Sequence, residues 1–145
     1  ACGADGMVAG QVLDTLYGIQ TEEQLKAMYR LKTGVMISGA AELGCVAADM
    51  PADMRAQAVE FADQLGLAFQ IRDDMLDVVG DQQVFGKPIG SDKEEGKITY
   101  VDVDGLEGCA RAVESCTQKA KDAVAHWPEH DFLFALADQL VDRKK

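Results

Sequence analysis

The chain of 145 residues is expected to fold as an all-α bundle. Three observations predict this. Apolar residues recur three and four apart along almost the whole chain, the spacing of a helix face. Runs that alternate with period two, as half-buried strands do, are nearly absent. Residues that start and stop helices stand at the joints between the periodic segments. Hydrophobic residues make up 48% of the chain, enough for one domain with a real core and too many for a disordered segment.

The first helix is expected over Met7–Leu16, stopping before Gly18. A second begins at Thr21, where "TEEQ" is a capping box: the threonine hydroxyl caps the first turn and Gln24 reaches back. It is expected to run to about Ala48, with Leu25, Met28, Val35 and Met36 as apolar positions. Gly34, Gly39 and Gly44 weaken it from inside, which points to close helix contact or a ligand near the backbone. Pro51 suits the first turn of a third helix that ends at Val79, before Gly80. Residues 81–104 read as a polar, Gly-rich loop. A fourth helix is expected near Leu106, with Asp104 as N-cap and Glu107 behind it. A fifth covers Glu129–Val141.

The net charge of −11 argues against nonspecific binding to nucleic acid or to an anionic membrane, both of which need a basic surface. No apolar run is long enough to span a bilayer. The N-terminal "ACGADGMVAG" lacks a basic region and a starting Met, so it is not read as a signal peptide. A Gly-rich turn leading straight into a helix is instead expected of the interior of a longer chain. Cys2, Cys45, Cys109 and Cys116 form no C-x-x-C pair and only two His are present, so a structural zinc site is not expected. Reduced core thiols in a cytoplasmic protein are the expectation.

Two features sit badly in a core. The stretch "LAFQIRDDMLDVVGD", residues 67–81, places three aspartates in an apolar frame. On a helix Gln70, Asp73 and Asp77 share one stripe, with Asp74 beside it and Phe69 and Leu76 flanking. Carboxylates this close repel one another unless a cation intervenes. Hard oxygen ligands of this kind suit Mg²⁺, which takes one or two carboxylates and fills its shell with water or phosphate oxygens. A solvated acidic face fits the spacing as well. Lys32 is the second feature. It shares a stripe with Leu25, Met28, Val35 and Gly39, so it either snorkels to an edge or meets an anion. A diphosphate held between Mg²⁺ and lysines would account for both. Downstream, Lys87 lies between Gly86 and Pro88, and Lys97 follows Gly96. Glycine admits close backbone approach and lysine is a mobile point charge for phosphate. The spacing is not that of a P-loop, and "DVDG" at 102–105 does not open an EF-hand.

The motifs "GMVAGQVLD", "LKTG", "FQIRDDMLD", "GKPIGSD" and "GKITY", in this order, resemble the C-terminal half of the trans-isoprenyl diphosphate synthases, which include farnesyl and geranylgeranyl diphosphate synthases. The likeness runs from Gly6 to about Arg143. It implies an isoprenoid-synthase-type helical bundle, usually homodimeric, that uses Mg²⁺ to condense isopentenyl diphosphate with an allylic diphosphate. Carried over by position, it implies a metal motif of Asp73, Asp74 and Asp77, with Asp73 as a direct Mg²⁺ ligand and Asp74 and Asp77 holding metal-bound water or neighbouring lysines. Lys32 and Lys87 would bind the allylic diphosphate, and Lys97 would stand near the mouth. Thr33 and Gln70 would point oxygen dipoles at the allylic cation. Gln11 and Asp14 would line the same cavity, and Arg143, Lys144 and Lys145 would close over the isopentenyl diphosphate site. Residues 1–145 would then be half of one synthase domain, partnered by its own N-terminal half. That half would carry the first aspartate-rich motif, of which there is no counterpart in this chain. The segment Val101–Asp104 departs from the family pattern and is expected to form a local turn of its own. The alternative reading is a half-length, noncatalytic subunit that regulates a full-length synthase. A class I terpene cyclase fits less well, since "KTG" and "GK" elements are not expected there.

Overall fold

The computed structural model describes residues 1–16, 18–79 and 96–142. Among these, all regular structure is helical: α1 (Met7–Leu16), α2 (Glu22–Tyr29), a π turn (Arg30–Gly34), α3 (Val35–Ala47), α4 (Ala52–Val79), α5 (Tyr100–Val124) and α6 (Asp131–Val141). The all-α expectation holds.

α2 begins as predicted. The Thr21 hydroxyl accepts the Gln24 N–H at 3.2 Å, and Gln24 Oε1 accepts the backbone N–H groups of Gln20 and Thr21. The expected single helix over 21–48 is interrupted, however. Five residues, Arg30–Gly34, wind as a π turn, which inserts one residue and rotates everything after it. Close backbone packing on both sides accompanies the irregularity. A Cβ on Gly10 of α1 would stand 2.2 Å from the Lys32 nitrogen, and a Cβ on Gly66 of α4 would stand 3.1 Å from the Gly34 Cα. The Ser38 hydroxyl donates to the Gly34 carbonyl at 3.1 Å. The close contact expected at Gly34 is therefore present, while a Cβ at Gly44 would meet open space.

α3 stops in a Schellman arrangement without glycine. Asp49 takes the left-handed conformation, φ 53°, and the Met50 and Asp49 N–H groups bond back to Cys45 and Val46. Pro51 follows and α4 starts at once. α4 has 28 residues and is the axis of the molecule, about 42 Å long. α5 packs along it, and α3, the π turn and α6 pack on it elsewhere. Leu25, Met28, Tyr29, Ile71, Tyr100 and Cys109 form one core cluster; Phe61, Leu65, Ala120, Val124 and Ala137 form another.

The fourth helix runs from Leu106 as expected, but a further helical turn precedes it across a kink at Gly105, and the N-cap of the whole element is Thr99 rather than Asp104. Thr99 stands at the N-cap of α5, and its N–H donates to the Asp102 carboxylate at 2.9 Å. One turn later Gly105, at φ 66° and ψ 174°, breaks the helix before it resumes at Leu106. Residues 101–104 are thus a local helical turn, as anticipated. The carboxylate of Asp104 occupies the space that a Cβ on Gly108 would fill.

Candidate functional site: a lysine pair and an acidic helix

Three elements bring the charged groups together. α1 and the π turn touch backbone to backbone at Gly10, and one helical turn later α1 presents Asp14. Its Oδ2 accepts Lys32 Nζ at 2.8 Å and lies 3.4 Å from Lys97 Nζ. The Asp14 side chain is only 6% exposed, so this carboxylate needs its cations. The trio nonetheless carries a net charge of +1, because one carboxylate faces two ammonium groups. Lys32 thus meets an anion, the second of the two outcomes its position allowed. Asp14, Lys32, Lys97, Gln70 and Asp74 line one cleft. It adjoins a cavity of about 270 Å³ walled by Asp14, Ile19, Met28 and Lys97.

From the π turn, Thr33 Oγ donates to Gln70 Oε1 at 2.9 Å. Gln70 Nε2 in turn lies 3.4 Å from Asp74 Oδ1. Oδ2 of Asp74 accepts the Tyr29 hydroxyl and, at 2.8 Å, the Tyr100 N–H at the start of α5. Asp74 is 3% exposed. Asp74, expected to hold metal-bound water or a neighbouring lysine within the metal motif, meets these three donors with its oxygens. Asp73 and Asp77, one turn apart on α4, are each partly exposed. Among the described residues no three carboxylate, His or Cys groups converge on one point. Two partly exposed carboxylates still fit Mg²⁺, which needs no more than one or two when phosphate oxygens supply the rest.

Gln11 does not join the cleft. It is exposed, and its amide donates to Thr15 Oγ at 3.2 Å. Lys87, Arg143, Lys144 and Lys145 lie outside the described residues. Tyr29, Tyr100 and Gly10 are parts of the site that sequence reasoning missed. Tyr29 left one signal: it falls four residues after Leu25 on the buried face, and a buried phenol needs a partner for its hydroxyl. Around the site, the Tyr100 hydroxyl donates to Glu22 at 2.9 Å. The Lys26 ammonium, followed by Tyr100, holds the Glu22 carboxyl below its ordinary range. Burial, reinforced by the Asp74 and Asp104 charges, pushes the Cys109 thiol up to about 11.

The family model for polyprenyl synthetase matches residues 3–130. The chain belongs to the polyprenyl synthetase family. It is 36% identical to farnesyl diphosphate synthase of Escherichia coli strain K12 over 157 aligned positions, covering 100% of the chain and 51% of that enzyme. To the farnesyl diphosphate synthase of Geobacillus stearothermophilus it is 41% identical, over 74% of the chain and 37% of the relative. Among solved structures, an FPP/GFPP synthase from Zymomonas mobilis superposes with a TM-score of 0.81 at 28% identity, over 96% of this chain and 46% of that one. Heptaprenyl diphosphate synthase from Staphylococcus aureus reaches a TM-score of 0.91 at 18% identity, a likeness of fold alone, over 96% and 57%. This polyprenyl synthetase chain therefore has the helical fold of isoprenyl synthases and spans about half the length of these relatives.

Proposed function

We propose that residues 1–145 form the C-terminal half of a single synthase domain whose intact protein is a prenyltransferase. It condenses isopentenyl diphosphate with an allylic diphosphate. The observation that carries this reading is the meeting of Lys32 and Lys97 on one oxygen of Asp14, in one cleft with Gln70, which bonds Thr33 and precedes Asp73 by one turn of α4. A cluster with surplus positive charge next to an acidic helix suits an anion that arrives with a divalent cation. Lys32 and Lys97 bind the diphosphate and hold it as its charge grows on ionisation, joined by Lys87. Asp73 and Asp77 are the residues that would hold Mg²⁺. When bound, Mg²⁺ supplies Lewis-acid stabilisation to the departing diphosphate. Thr33 and Gln70 turn oxygen atoms toward the allylic carbon chain, where they steady positive charge without a nucleophile's reactivity. Asp14 orients the two lysines until substrate takes them over.

Family membership and the 36% identity to a farnesyl diphosphate synthase support this reading. The substrates, the cytoplasmic location and a homodimeric state belong to the same proposal; the unpaired cysteines are in keeping with a reducing compartment. The test is prenyl transfer by the intact protein from geranyl diphosphate and isopentenyl diphosphate. Asp73→Ala should remove most of the turnover, and unchanged turnover in that variant would defeat the metal assignment.

A further inference from the structure

We infer that Asp74 is a positioning residue: it dictates which end of the Gln70 amide faces Thr33, and it pins the π turn and the start of α5 to α4. This rests on the proposed prenyl-transfer reading for its catalytic consequence, but not for its structural content.

A carboxylate at 3% exposure is tolerated only with donors on its oxygens. Asp74 has them from three directions: the Tyr29 hydroxyl at the end of α2, the Tyr100 N–H at the first turn of α5, and the Gln70 amide on α4 itself. The Tyr100 N–H is one of the orphan donors of a helix N-terminus, where the partial positive charge of the helix favours an anion. Tyr29 immediately precedes the π turn that bears Lys32 and Thr33. The Tyr29–Asp74 bond therefore fixes the register of those two residues against the acidic face of α4.

A second consequence concerns Gln70. An ionised carboxylate only accepts hydrogen bonds, so the NH₂ end of the Gln70 amide must face Asp74. Oε1 must then face Thr33, whose hydroxyl donates to it at 2.9 Å. An amide at position 74 could donate instead, which lets Gln70 rotate and present NH₂ hydrogens where an oxygen dipole is required. Asp73 and Asp77, partly exposed on the same helix, belong to the proposed Mg²⁺ site.

The test uses the intact protein with Asp74→Asn, Tyr29→Phe, the double variant and Asp73→Asn. Asp74→Asn should lower kcat about tenfold or more, the effect of roughly one misdirected dipole. The Mg²⁺ concentration for half-maximal binding of inorganic diphosphate should stay within about threefold, while Asp73→Asn raises it about tenfold or more. Thermal midpoints should be non-additive, with the double variant close to the worse single one. Additive midpoints would overturn the inference. So would a shift in Mg²⁺ demand for Asp74→Asn equal to that of Asp73→Asn. If the unsubstituted protein transfers no prenyl group, the functional reading falls, and the midpoints still decide the positioning role.

Discussion

One oxygen of Asp14 serves two ammonium groups, one from the π turn and one from the segment that leads into α5. Asp14→Ala should release both lysines from their common orientation. Since catalytic geometry is sensitive to placements of an ångström, prenyl transfer should fall about tenfold or more, with a raised KM for the allylic diphosphate. Lys32 was legible in the sequence because a charge stood on an apolar stripe, and Gln70 because it preceded an acidic motif by one turn. The fate of Asp74 was not. Helical spacing places a carboxylate on a face but does not say which of two adjacent aspartates the neighbouring helices will bury. Here Tyr29 and Tyr100 decide it, and both arrive from other elements. The same burial predicts an alkaline sensitivity. The Cys109 thiol is raised from 9.0 to about 11, so the folded state holds a proton that the unfolded state loses first. The stability it contributes is whole below about pH 9 and drains away between about 9 and 11. Thermal midpoints across that range should fall more steeply for this chain than for Cys109→Ala.

At the scale of elements, the boundaries that chemistry marks were readable and the irregularities were not. Thr21 and Gln24 announced α2, Pro51 announced α4, and α1 lies where its periodicity put it. Thr21→Ala should cost about 1 kcal/mol, read as a lower thermal or denaturant midpoint. The π turn escaped notice because periodicity assumes an unbroken ladder, whereas its surroundings depend on Gly10 and Gly66 in distant helices. Gly10→Ala should therefore cost about 2–3 kcal/mol, and it should also disturb the Lys32–Asp14 pair, since the new methyl would collide with the Lys32 backbone. Gly105→Ala tests a different mechanism. At φ 66° and ψ 174° a side chain is strained although nothing crowds it, so a loss of about 1–3 kcal/mol is expected. The early start of α5 was missed for the opposite reason: Thr99 and Asp102 carry a cap signature, but it lay inside a segment read as loop.

For the whole molecule, the fold class could be read directly, because "GMVAGQVLD" and "FQIRDDMLD" sit on α1 and α4, whose periodicity carries them. The closure of the fold could not. Leu16, Leu43 and Phe132 are each 70% exposed or more. A groove of about 610 Å³ lies open among Met36, Ala41, Phe61, Leu65 and Leu133, between α3, α4 and α6. Apolar surface of this kind drives association, so residues 1–145 alone should self-associate or stay partnered. Light scattering should show oligomers; a monodisperse monomer would contradict this. On the proposed function, the acidic helix and the lysine pair act together as one diphosphate clamp. It is tested most directly by titrating inorganic diphosphate into the intact protein by calorimetry, with and without Mg²⁺, for the unsubstituted form and Asp73→Ala. Tight binding that requires both Mg²⁺ and Asp73 is expected. Binding of equal strength without Mg²⁺, or undiminished in Asp73→Ala, would contradict it.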